Sequence, residues 1–364
     1  MDIQNIYKQF KFEGTLVNYS KYGSGHINKT YVLSFKITDF YYRRYIIQKI
    51  NNNVFKDVEA LMSNVSKVID FSHQKILKEK GNPFLESLTL VRTIDNKCFY
   101  KTPEGEYYRA YYFIEEGNGY DMTEDPKNFY ESGVVFGHFQ KLMSTFKVDE
   151  LYEVIKDFHN TEVRLQNLEK AIEENIVGRK ESAIKEITFY LSRKSYASKV
   201  VNMLSSGEIP YRVTHNDTKL NNILINPITN KAVCILDYDT IMPGSVLYDF
   251  GDSIRFGAST AKEDEKDLNL VNFNIDLFKL YTKGFLKETK DILTEKEKEN
   301  LAFSAILITY ECGMRFLTDH LNGDTYFGAK YPNHNLIRCR TQMKLVAEME
   351  KVLDKMNAIV KKYS

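Results

Sequence analysis

The chain of 364 residues contains no tryptophan and only four cysteines, at positions 98, 234, 312 and 339. These cysteines are far apart and form neither a Cys-x-x-Cys pair nor a pattern with closely spaced histidines. Their spacing excludes a zinc ribbon and a dense disulfide framework. Cys234 lies in an apolar run, so we expect a buried thiol and a reducing, cytoplasmic setting.

The chain also lacks an excess of one charge and a long apolar run. Fifty Lys and Arg against 49 Asp and Glu give a formal net charge of +1, which argues against nucleic acid or a membrane surface as the main partner. The N-terminal stretch MDIQNIYKQFKFEG has no apolar signal core, and runs such as AILI at 305–308 are too short to cross a bilayer. We therefore expect neither a nucleic-acid nor a membrane partner. The sequence predicts no oligomeric state.

Two regions of different character follow one another along the chain. Up to about residue 115, β-branched and aromatic runs separated by turns predict short strands, interrupted by one helix over 57–77. From 116 onward the pattern is mainly helical, with predicted helices at 126–146, 148–159, 161–175, 180–205, 265–288, 294–318 and 336–361. We therefore predict an α+β protein with a small β-rich N-lobe, 1–115, and a larger helical C-lobe, 116–364. Ligands of such chains usually lie in the crevice between the lobes.

The stretch YRVTHNDTKLNNILIN, residues 211–226, carries the strongest chemical signal. His215, Asp217 and Asn222 have the H-x-D-x-x-x-x-N spacing of kinase catalytic loops, and an apolar strand follows at once. In that arrangement the aspartate accepts a hydroxyl proton and the asparagine oxygen binds Mg²⁺, which prefers oxygen ligands. Lys219 is placed to offset charge on a transferring phosphoryl group. The alternative is a polar loop in which His215 and Asp217 only satisfy backbone donors.

The residues after Asn222 predict a β-hairpin that returns to the catalytic loop. ILI is followed by the turn-like NPITNK and then by AVCILD, which ends at Asp237. Since paired strands lie about 5 Å apart, the hairpin would bring Asp237 beside Asn222, and these two side chains are the predicted magnesium ligands. Asp239 is a candidate for a supporting carboxylate or a second-metal ligand.

A literal Asp-Phe-Gly tripeptide, which carries the metal-binding aspartate of protein kinases, begins only at Asp249. It lies after the turn-like MPGS and at the predicted start of a helix. We expect Asp249 to cap that helix or to brace the catalytic loop rather than to bind metal.

The candidate nucleotide site lies in the N-lobe. Gly23 and Gly25 lie between two predicted strands, where glycine lets backbone amides approach phosphate oxygens. Lys49 in YIIQKIN is the candidate phosphate-binding cation of the third strand, and Glu59 at the start of the following helix is its candidate partner or an exposed carboxylate. Gln48 points to the opposite side, and the sequence does not decide which of the two faces the cleft.

The segment YYFIEE leads out of the last predicted N-lobe strand. From the order of the lobes, we expect the backbone of Phe113, Ile114 and Glu115 to form the interlobe hinge and to contact adenine.

At this point the chain resembles the aminoglycoside phosphotransferase and choline kinase superfamily, which has a protein-kinase-like fold. Longer stretches resemble the N-acetylhexosamine 1-kinases within it: YGSGHINKTY, IIQKINNNVF, THNDTKLNNILIN, LDYDTIMPGSVLYDFGDSIR and ECGMRFLTDHLNGDTYF. The resemblance implies transfer of phosphate from ATP, with Mg²⁺, to the anomeric hydroxyl of GlcNAc or GalNAc. It also implies that Asp217 is the base, that Asn222 and Asp237 bind metal, and that His26 lies near the nucleotide or sugar.

A neutral sugar needs hydrogen-bonding groups beside a flat apolar surface. The stretch at 310–328 supplies both, and its candidate sugar contacts are Arg315, Asp319, Asp324, Tyr326 and Phe327. Arg315 and Asp319 are four residues apart and share a helix face, so a surface ion pair is the alternative. His159 is a weaker candidate that could instead cap the helix beginning near Thr161.

Two other functions fit parts of the pattern. The same fold could phosphorylate an aminoglycoside, choline, homoserine or another small amine or alcohol, although a cationic acceptor requires several acidic residues around it. A pseudokinase that only binds its ligands is the alternative from another class. The presence of Asp217, Asn222 and Asp237 together argues against it.

Overall fold

The computed structural model describes residues 3–23, 27–120 and 125–364. Its strands, in chain order, are β1 Thr15–Lys21, β2 Lys29–Lys36, β3 Tyr42–Ile50, β4 Leu90–Val91, β5 Tyr100–Lys101, β6 Tyr107–Tyr112, β7 Arg212–Thr214, β8 Ile223–Ile225, β9 Ala232–Ile235 and β10 Met242–Gly244. Its α-helices are α1 Ile3–Ile6, α2 Val58–Lys78, α3 Pro83–Glu86, α4 Pro126–Met143, α5 Thr161–Glu174, α6 Ile184–Leu191, α7 Ala197–Ser205, α8 Val246–Gly257, α9 Ile275–Thr289, α10 Glu295–Leu321, α11 His334–Lys351 and α12 Leu353–Tyr363.

The chain forms two compact units. The first comprises Met1–Gly119, Thr145–Ile155 and Ile223–Pro243, and the second comprises Tyr120–Ser144, Lys156–Asn222 and Gly244–Ser364. The predicted β-rich region followed by a mainly helical region, an α+β protein, is confirmed. The hairpin strands β8 and β9, which we assigned to the C-lobe, belong to the first unit. The lobe boundary at residue 115 stays a prediction.

An antiparallel sheet in the order β1-β2-β3-β6-β4, with β5 paired to β6, organises the first unit. Side chains of a strand alternate between the two faces of the sheet. The odd-numbered residues of β3 therefore lie on one face and the even-numbered residues on the other. Tyr45 and Ile47 lie in an aromatic core with Leu33, Phe35 and Tyr108. The residues between them, including Gln48, therefore point to the opposite face.

Helix α2 packs its apolar stripe inward, as its sequence spacing predicts. Val58, Leu61, Met62, Val65, Val68 and Ile69 are all buried. The helix begins where Asp57 accepts a hydrogen bond from the Ala60 amide, which satisfies one of the unpaired donors of the first turn. Met62 contacts the guanidinium of Arg109 on β6, with 3.9 Å between the sulfur and Nη1.

The predicted helix over 148–159 is wrong. Only a short 3-10 turn, Val148–Glu150, forms there. The chain is instead held in place by Asn64 of α2, whose oxygen accepts from the Tyr152 amide at 2.9 Å and whose Nδ2 donates to the Tyr152 carbonyl at 2.8 Å. These hydrogen bonds join two residues that are 88 positions apart in the chain, and they hold the segment in a non-helical conformation despite its helical sequence pattern.

Close helix packing dominates the second unit. Helices α4 and α9 approach so closely that a Cβ added at Gly133 would lie 2.4 Å from the Tyr281 carbonyl oxygen, and one at Gly284 would lie 2.3 Å from the Tyr130 carbonyl oxygen. The predicted helix over 265–288 begins only at Ile275, after a cap by Asn274. The predicted helices over 180–205 and 336–361 are each divided into two.

Helix α10 forms the core of this unit. It is long and apolar enough to cross a membrane by length and composition, but 83% of its apolar window is buried inside the structure, as in the core helix of a globular protein. Its first turn has a capping box, in which Thr294 accepts from the Glu297 amide and Glu297 accepts from the Thr294 amide.

Glu297 also anchors the strand that leads into the catalytic loop. It is fully buried and accepts two hydrogen bonds from Arg212 of β7, at 2.6 Å from Nε and 2.8 Å from Nη2. Arg212 is nearly buried; its Nη2 also donates to the Ile292 carbonyl, and among the described residues Glu297 is the carboxylate that balances its charge.

We predict that Glu297→Ala lowers the free energy of unfolding by about 3–5 kcal/mol, because it leaves a buried guanidinium without its partner. Urea unfolding measures the change. The matched control is Glu295→Ala in the same turn, where an 83% exposed side chain pairs only with Lys298 and the expected change is within about 0.5 kcal/mol. Equal losses for the two variants would contradict the role of Glu297.

Candidate active site

The catalytic loop is held by a buried carboxylate, that of Asp249. Asp249 is 1% exposed and accepts hydrogen bonds from the backbone amides of His215 at 3.0 Å and Asn216 at 2.8 Å. Gln140 of α4 donates to it at 2.9 Å. The bracing role predicted for Asp249 is confirmed. Its predicted capping role is wrong, because Ser245 caps α8 by accepting from the Leu247 amide.

The backbone of the loop explains why it needs this support. Asn216 has a φ of +64°, in the left-handed region, so the chain here cannot continue the pairing of β7. The amides of His215 and Asn216 are buried, and the two oxygens of one carboxylate, that of Asp249, accept hydrogen bonds from both. Burial raises the pKa of Asp249, whereas the charge of His215 and these hydrogen bonds act in the opposite direction.

A second aspartate of α8, Asp252, fixes the next part of the loop. It accepts from the Thr218 amide at 3.0 Å and pairs with Arg255 at 2.9 Å. Burial alone would raise the pKa of Asp252, but the charges of Arg255 and His159 lower it below its ordinary value. We did not predict this residue. Its signal was the spacing of Asp249 and Asp252, since residues three apart share a helix face.

The predicted catalytic residues of the loop lie together. The Nδ2 atom of Asn222 donates to the Asp217 carbonyl at 2.8 Å and to Asp217 Oδ2 at 2.9 Å. The Lys219 ammonium lies 3.0 Å from the same Oδ2 atom. Asp217 and Lys219 are about one third exposed, so both can meet a ligand. The short 3-10 turn Leu220–Asn222 carries the chain from Lys219 directly into β8.

The predicted hairpin after Asn222 is confirmed. Strands β8 and β9 pair antiparallel, with Ile223 opposite Ile235 and Leu224 opposite Cys234. Asp237 follows β9 with a φ of +60° and precedes the short helix Tyr238–Thr240. Cys234 is a buried free thiol, as predicted, and its pKa is raised by burial.

Asn222 precedes β8 and Asp237 follows β9, so the two predicted metal ligands flank the hairpin in sequence. Because the Asn222 amide nitrogen is directed at Asp217, its Oδ1 atom is the one left to act as a ligand. Asp237 carries a carboxylate, and Mg²⁺ prefers oxygen ligands, but the shared metal-binding role of Asn222 and Asp237 stays a prediction. In the described ranges, no group of three or more His, Cys, Asp or Glu is arranged to hold a metal ion.

The candidate nucleotide site is described only in part. Gly23 has a φ of +76°, which favours glycine, whereas Gly25 and His26 lie outside the described residues. In the predicted hinge, the Phe113 amide donates to the Arg44 carbonyl at 3.2 Å, and Ile114 is buried. Arg44 of β3 packs over the Phe113 ring at 3.9 Å and donates from Nε to the Glu115 carboxylate at 3.0 Å.

Gln48 and Lys49 point to opposite faces of the sheet, and their partners now distinguish them. Lys49 forms an ion pair with Glu106 rather than with the predicted Glu59. Glu59 is exposed and lies 3.9 Å from Lys101, so its reading as an exposed carboxylate is the correct one. Gln48 lies on the face covered by α2, where its oxygen accepts from Arg109 Nε at 2.9 Å.

Arg109, which sequence reasoning missed, is the buried cation of that face. It is 1% exposed and pairs through Nη1 with Asp239. Burial alone would lower the pKa of Arg109, but the charge of Asp239 and its hydrogen bond keep the pKa above its ordinary value. The sequence offered only a weak signal, an arginine inside the aromatic strand YYRAYY.

The predicted sugar contacts divide into two groups. Asp319 is buried and accepts from the amides of Tyr326 at 2.8 Å and Phe327 at 2.9 Å. Asp324, with a φ of +62°, accepts from Arg179 and from Asn335. These two carboxylates therefore hold the loop after α10. The alternative of an ion pair between Arg315 and Asp319 is wrong, because Asp319 binds backbone amides.

Arg315 and Tyr326 line a cavity with Arg164, Thr318 and Phe327. The Arg315 guanidinium lies over the ring of Phe327, 5.3 Å from its centroid, and at a similar distance over the ring of Phe158. Tyr326 is 69% exposed at the rim. The pKa of Arg164 is lowered by burial and by the nearby charge of Arg315.

His159 does not cap a helix, contrary to one of its predicted roles. Asn160 caps α5, and the Nδ1 atom of His159 lies 2.8 Å from the Glu311 carboxylate. Burial alone would raise the pKa of Glu311, but the charges of His159 and Arg315 lower it.

Comparison with known proteins places this site in a family context. Residues 101–273 match the model of the phosphotransferase enzyme family, APH. This segment includes the catalytic loop and the hairpin, and the match supports a small-molecule phosphotransferase.

Solved structures show the same fold along nearly the whole chain. An aminoglycoside phosphotransferase from Alicyclobacillus acidocaldarius is 12% identical, with 100% of this chain and 97% of that chain covered and a TM-score of 0.62. Amicoumacin kinase hAmiN, solved with AMP-PNP and Ca²⁺, is 12% identical, with 98% and 94% covered and a TM-score of 0.61. Choline kinase from Cryptosporidium parvum is 13% identical, with 95% and 92% covered and a TM-score of 0.52. The predicted protein-kinase-like fold is confirmed.

We predict that Asp249→Ala lowers the free energy of unfolding by more than about 3 kcal/mol, because three buried donors lose their acceptor. Urea unfolding measures this loss. Asp276→Ala, which removes an exposed aspartate from the first turn of α9, is the matched control and should change stability by less than about 0.5 kcal/mol. An Asp249→Ala protein of normal stability that had lost only metal affinity would show that Asp249, not Asp237, binds the cation.

Proposed function

We propose that the protein is an ATP- and Mg²⁺-dependent kinase that phosphorylates the anomeric hydroxyl of an N-acetylhexosamine, GlcNAc or GalNAc. The observation that carries this proposal is the arrangement of Asp217, Lys219 and Asn222 on a loop braced by buried carboxylates. The family match over 101–273 supports the phosphoryl-transfer chemistry. The sugar rests on the resemblance of the longer sequence stretches.

Asp217 is the proposed general base. Its carboxylate is held by the Asn222 amide and the Lys219 ammonium, which fix its direction while leaving it partly exposed. The acceptor hydroxyl gives its proton to Asp217 as its oxygen attacks the γ-phosphorus of ATP and the bond to ADP breaks. Lys219 is positioned to offset negative charge near the transferred group.

Asn222 Oδ1 and the Asp237 carboxylate are the proposed ligands of Mg²⁺. When bound, this cation would neutralise charge on the phosphates and orient them for in-line transfer. The contribution of the chain is to direct the Asn222 oxygen away from Asp217, through the two bonds made by its nitrogen.

For the nucleotide we propose the glycine-containing loop, with Gly23, Gly25 and His26, and the backbone of 113–115. Lys49 no longer belongs to this set, because its ammonium pairs with Glu106 on the face of the sheet opposite Gln48.

We propose the cavity around Arg315 as the acceptor site. Arg315, Arg164 and Thr318 offer hydrogen-bond donors, and Phe327 offers an apolar face, which together suit a sugar with acceptor oxygens. In this proposal Asp319 and Asp324 do not bind the sugar themselves. They hold the loop that carries Tyr326 and Phe327.

Other acceptors of the same fold are the competing proposal. An aminoglycoside or choline carries positive charge, and two arginines at the cavity would repel it. The one aspartate of the lining, Asp319, is already bound to backbone amides. These contacts favour a neutral or anionic acceptor.

Phosphorus NMR tests the proposed reaction directly. The protein is incubated with ATP, Mg²⁺ and one acceptor at a time, taken from GlcNAc, GalNAc, glucose, galactose, choline, ethanolamine and an aminoglycoside. We expect an anomeric phosphate signal with GlcNAc or GalNAc and none with the amines.

Asp217→Asn serves as the control, because it keeps the shape of the side chain and removes its basicity. Turnover should fall by about a hundredfold to ten-thousandfold with little change in nucleotide affinity. Turnover at the wild-type rate would rule out Asp217 as the base, and a phosphorylated amine instead of a sugar would rule out the acceptor.

We predict that Arg315→Met raises the acceptor KM by about tenfold to a hundredfold and leaves the ATP KM unchanged, because it removes charged donors from the acceptor cavity only. Steady-state kinetics with varied sugar and varied ATP separate the two effects. Arg340→Met, which removes an arginine that pairs with Glu186 away from the cavity, is the control and should leave both values unchanged. A rise in the ATP KM alone would move Arg315 to the nucleotide site.

A further inference from the structure

The buried cation on the sheet face covered by α2 comes from a different strand than in protein kinases. In protein kinases a lysine of the third strand contacts the nucleotide phosphates and pairs with a glutamate of the following helix. Here the third strand presents neutral Gln48 to that face, and the buried side of α2 presents Met62. The cation is Arg109 of β6, directly opposite Gln48 in the strand register.

The carboxylate partner of this cation does not come from α2. It comes from the segment after β9, which also carries the proposed metal ligand Asp237. Arg109 Nη1 donates to Asp239 Oδ1, and Asp239 lies two residues after Asp237. Arg109 Nε donates to Gln48 at 2.9 Å, and Gln48 donates in turn to Thr30 of β2 at 3.0 Å. The guanidinium is thereby fixed to the central strands of the sheet.

The second oxygen of Asp239 is held from another direction. Asn28 Nδ2 donates to Asp239 Oδ2 at 2.6 Å, and Asn28 Oδ1 accepts from the Asn51 amide at 3.0 Å. Asp239 is 5% exposed, so both oxygens are occupied within the protein. A carboxylate bound in this way is poorly suited to take a second metal ion.

We propose that Arg109 is a positioning residue for the metal ligand Asp237, which it orients by clamping Asp239 to β3 and β6. This inference rests on the proposed function, in which Asp237 binds the cation. Asp237 has a left-handed backbone conformation, φ +60°, so the chain turns sharply at this residue and the direction of its side chain depends on how the flanking residues are held. The clamp on Asp239 and the pairing of β9 hold the chain on either side of it.

The same clamp connects the cation site to the strand that follows the glycine-containing loop. Asn28 precedes β2 and binds Asp239 directly, whereas Gln48 of β3 binds Arg109, the other partner of Asp239. The Asp239 carboxylate thereby connects β2 and β3 to the segment that carries Asp237. An ordinary strand lysine would reach the phosphates directly. Arg109 is too deeply buried for that, so its effect on the nucleotide must pass through the position of Asp237.

Binding of Mn²⁺ in the presence of AMP-PNP tests the inference without any acceptor. Electron paramagnetic resonance gives the free Mn²⁺ concentration and hence the Kd. We expect Arg109→Met to raise the Kd about tenfold to a hundredfold, the range found when a residue supporting a metal ligand is removed. Asp239→Asn should do the same, and the double variant should lose no more than the larger single loss, because both act through one contact.

The matched control is Arg193→Met, which removes a partly buried arginine from its carboxylate partner Glu350, away from the proposed metal ligands. It should lower the thermal midpoint as Arg109→Met does but leave the Mn²⁺ Kd unchanged. If Arg109→Met does not fold, Asn28→Ala removes the other arm of the clamp at a smaller stability loss, and it should raise the Kd several-fold.

Two results would overturn the inference. A folded Arg109→Met protein with a wild-type Kd would do so, as would wild-type Kd values for both Asn28→Ala and Asp239→Asn. The proposed function fails separately. Wild-type protein that binds no Mn²⁺ with AMP-PNP would defeat the metal assignment itself, whereas normal Mn²⁺ binding without phosphorylation of any sugar would defeat only the acceptor.

Discussion

A buried carboxylate beneath a loop is the constraint on which this site depends. The catalytic loop leaves β7 through a left-handed residue, Asn216, and its backbone amides are directed at buried carboxylates. Asp249 accepts two of them and Asp252 accepts a third, from Thr218. Water could satisfy these donors on an exposed loop, but it would not fix their direction. A rigid helix that carries both carboxylates does, and it thereby sets the direction of Asp217.

The position of the catalytic loop therefore depends on how the helices beneath it pack. Helix α8 can brace the loop only if it is itself held, and it lies so close to α10 that a Cβ added at Gly251 would approach the Ser304 carbonyl oxygen to 2.4 Å. Interiors packed at this density do not deform continuously. The position of the catalytic loop consequently depends on α8, and the position of α8 depends on its packing against α10.

The parts of this arrangement that the sequence predicted are those encoded by neighbouring residues. The stripe of α2, the hairpin after Asn222 and the spacing of Asp217 and Asn222 each depend on a short stretch, and each was predictable from it. Arg109 was not, because its partner Asp239 lies 130 residues away and an arginine in a strand has many possible roles. The faces of β3 were also undecided, since Gln48 and Lys49 are both polar and only the register with β6 assigns their surroundings. The helix over 148–159 failed for the same reason, because a distant asparagine determined the local structure.

The acidic residues near the acceptor cavity show why composition alone misleads about a ligand. The density of aspartates at 319–324 favours substrate contact when it is read as sequence, yet Asp319 and Asp324 use their oxygens on the loop, Arg179 and Asn335. What remains at the cavity is a set rich in donors, with Arg164 and Arg315 close enough that each charge disfavours the other. A ligand with acceptor oxygens relieves that repulsion, and the carbonyl of an acetamido group is such an acceptor. The donors of the cavity thus match the acceptor proposed above better than an amine, because the carboxylates that an amine would need are already bound.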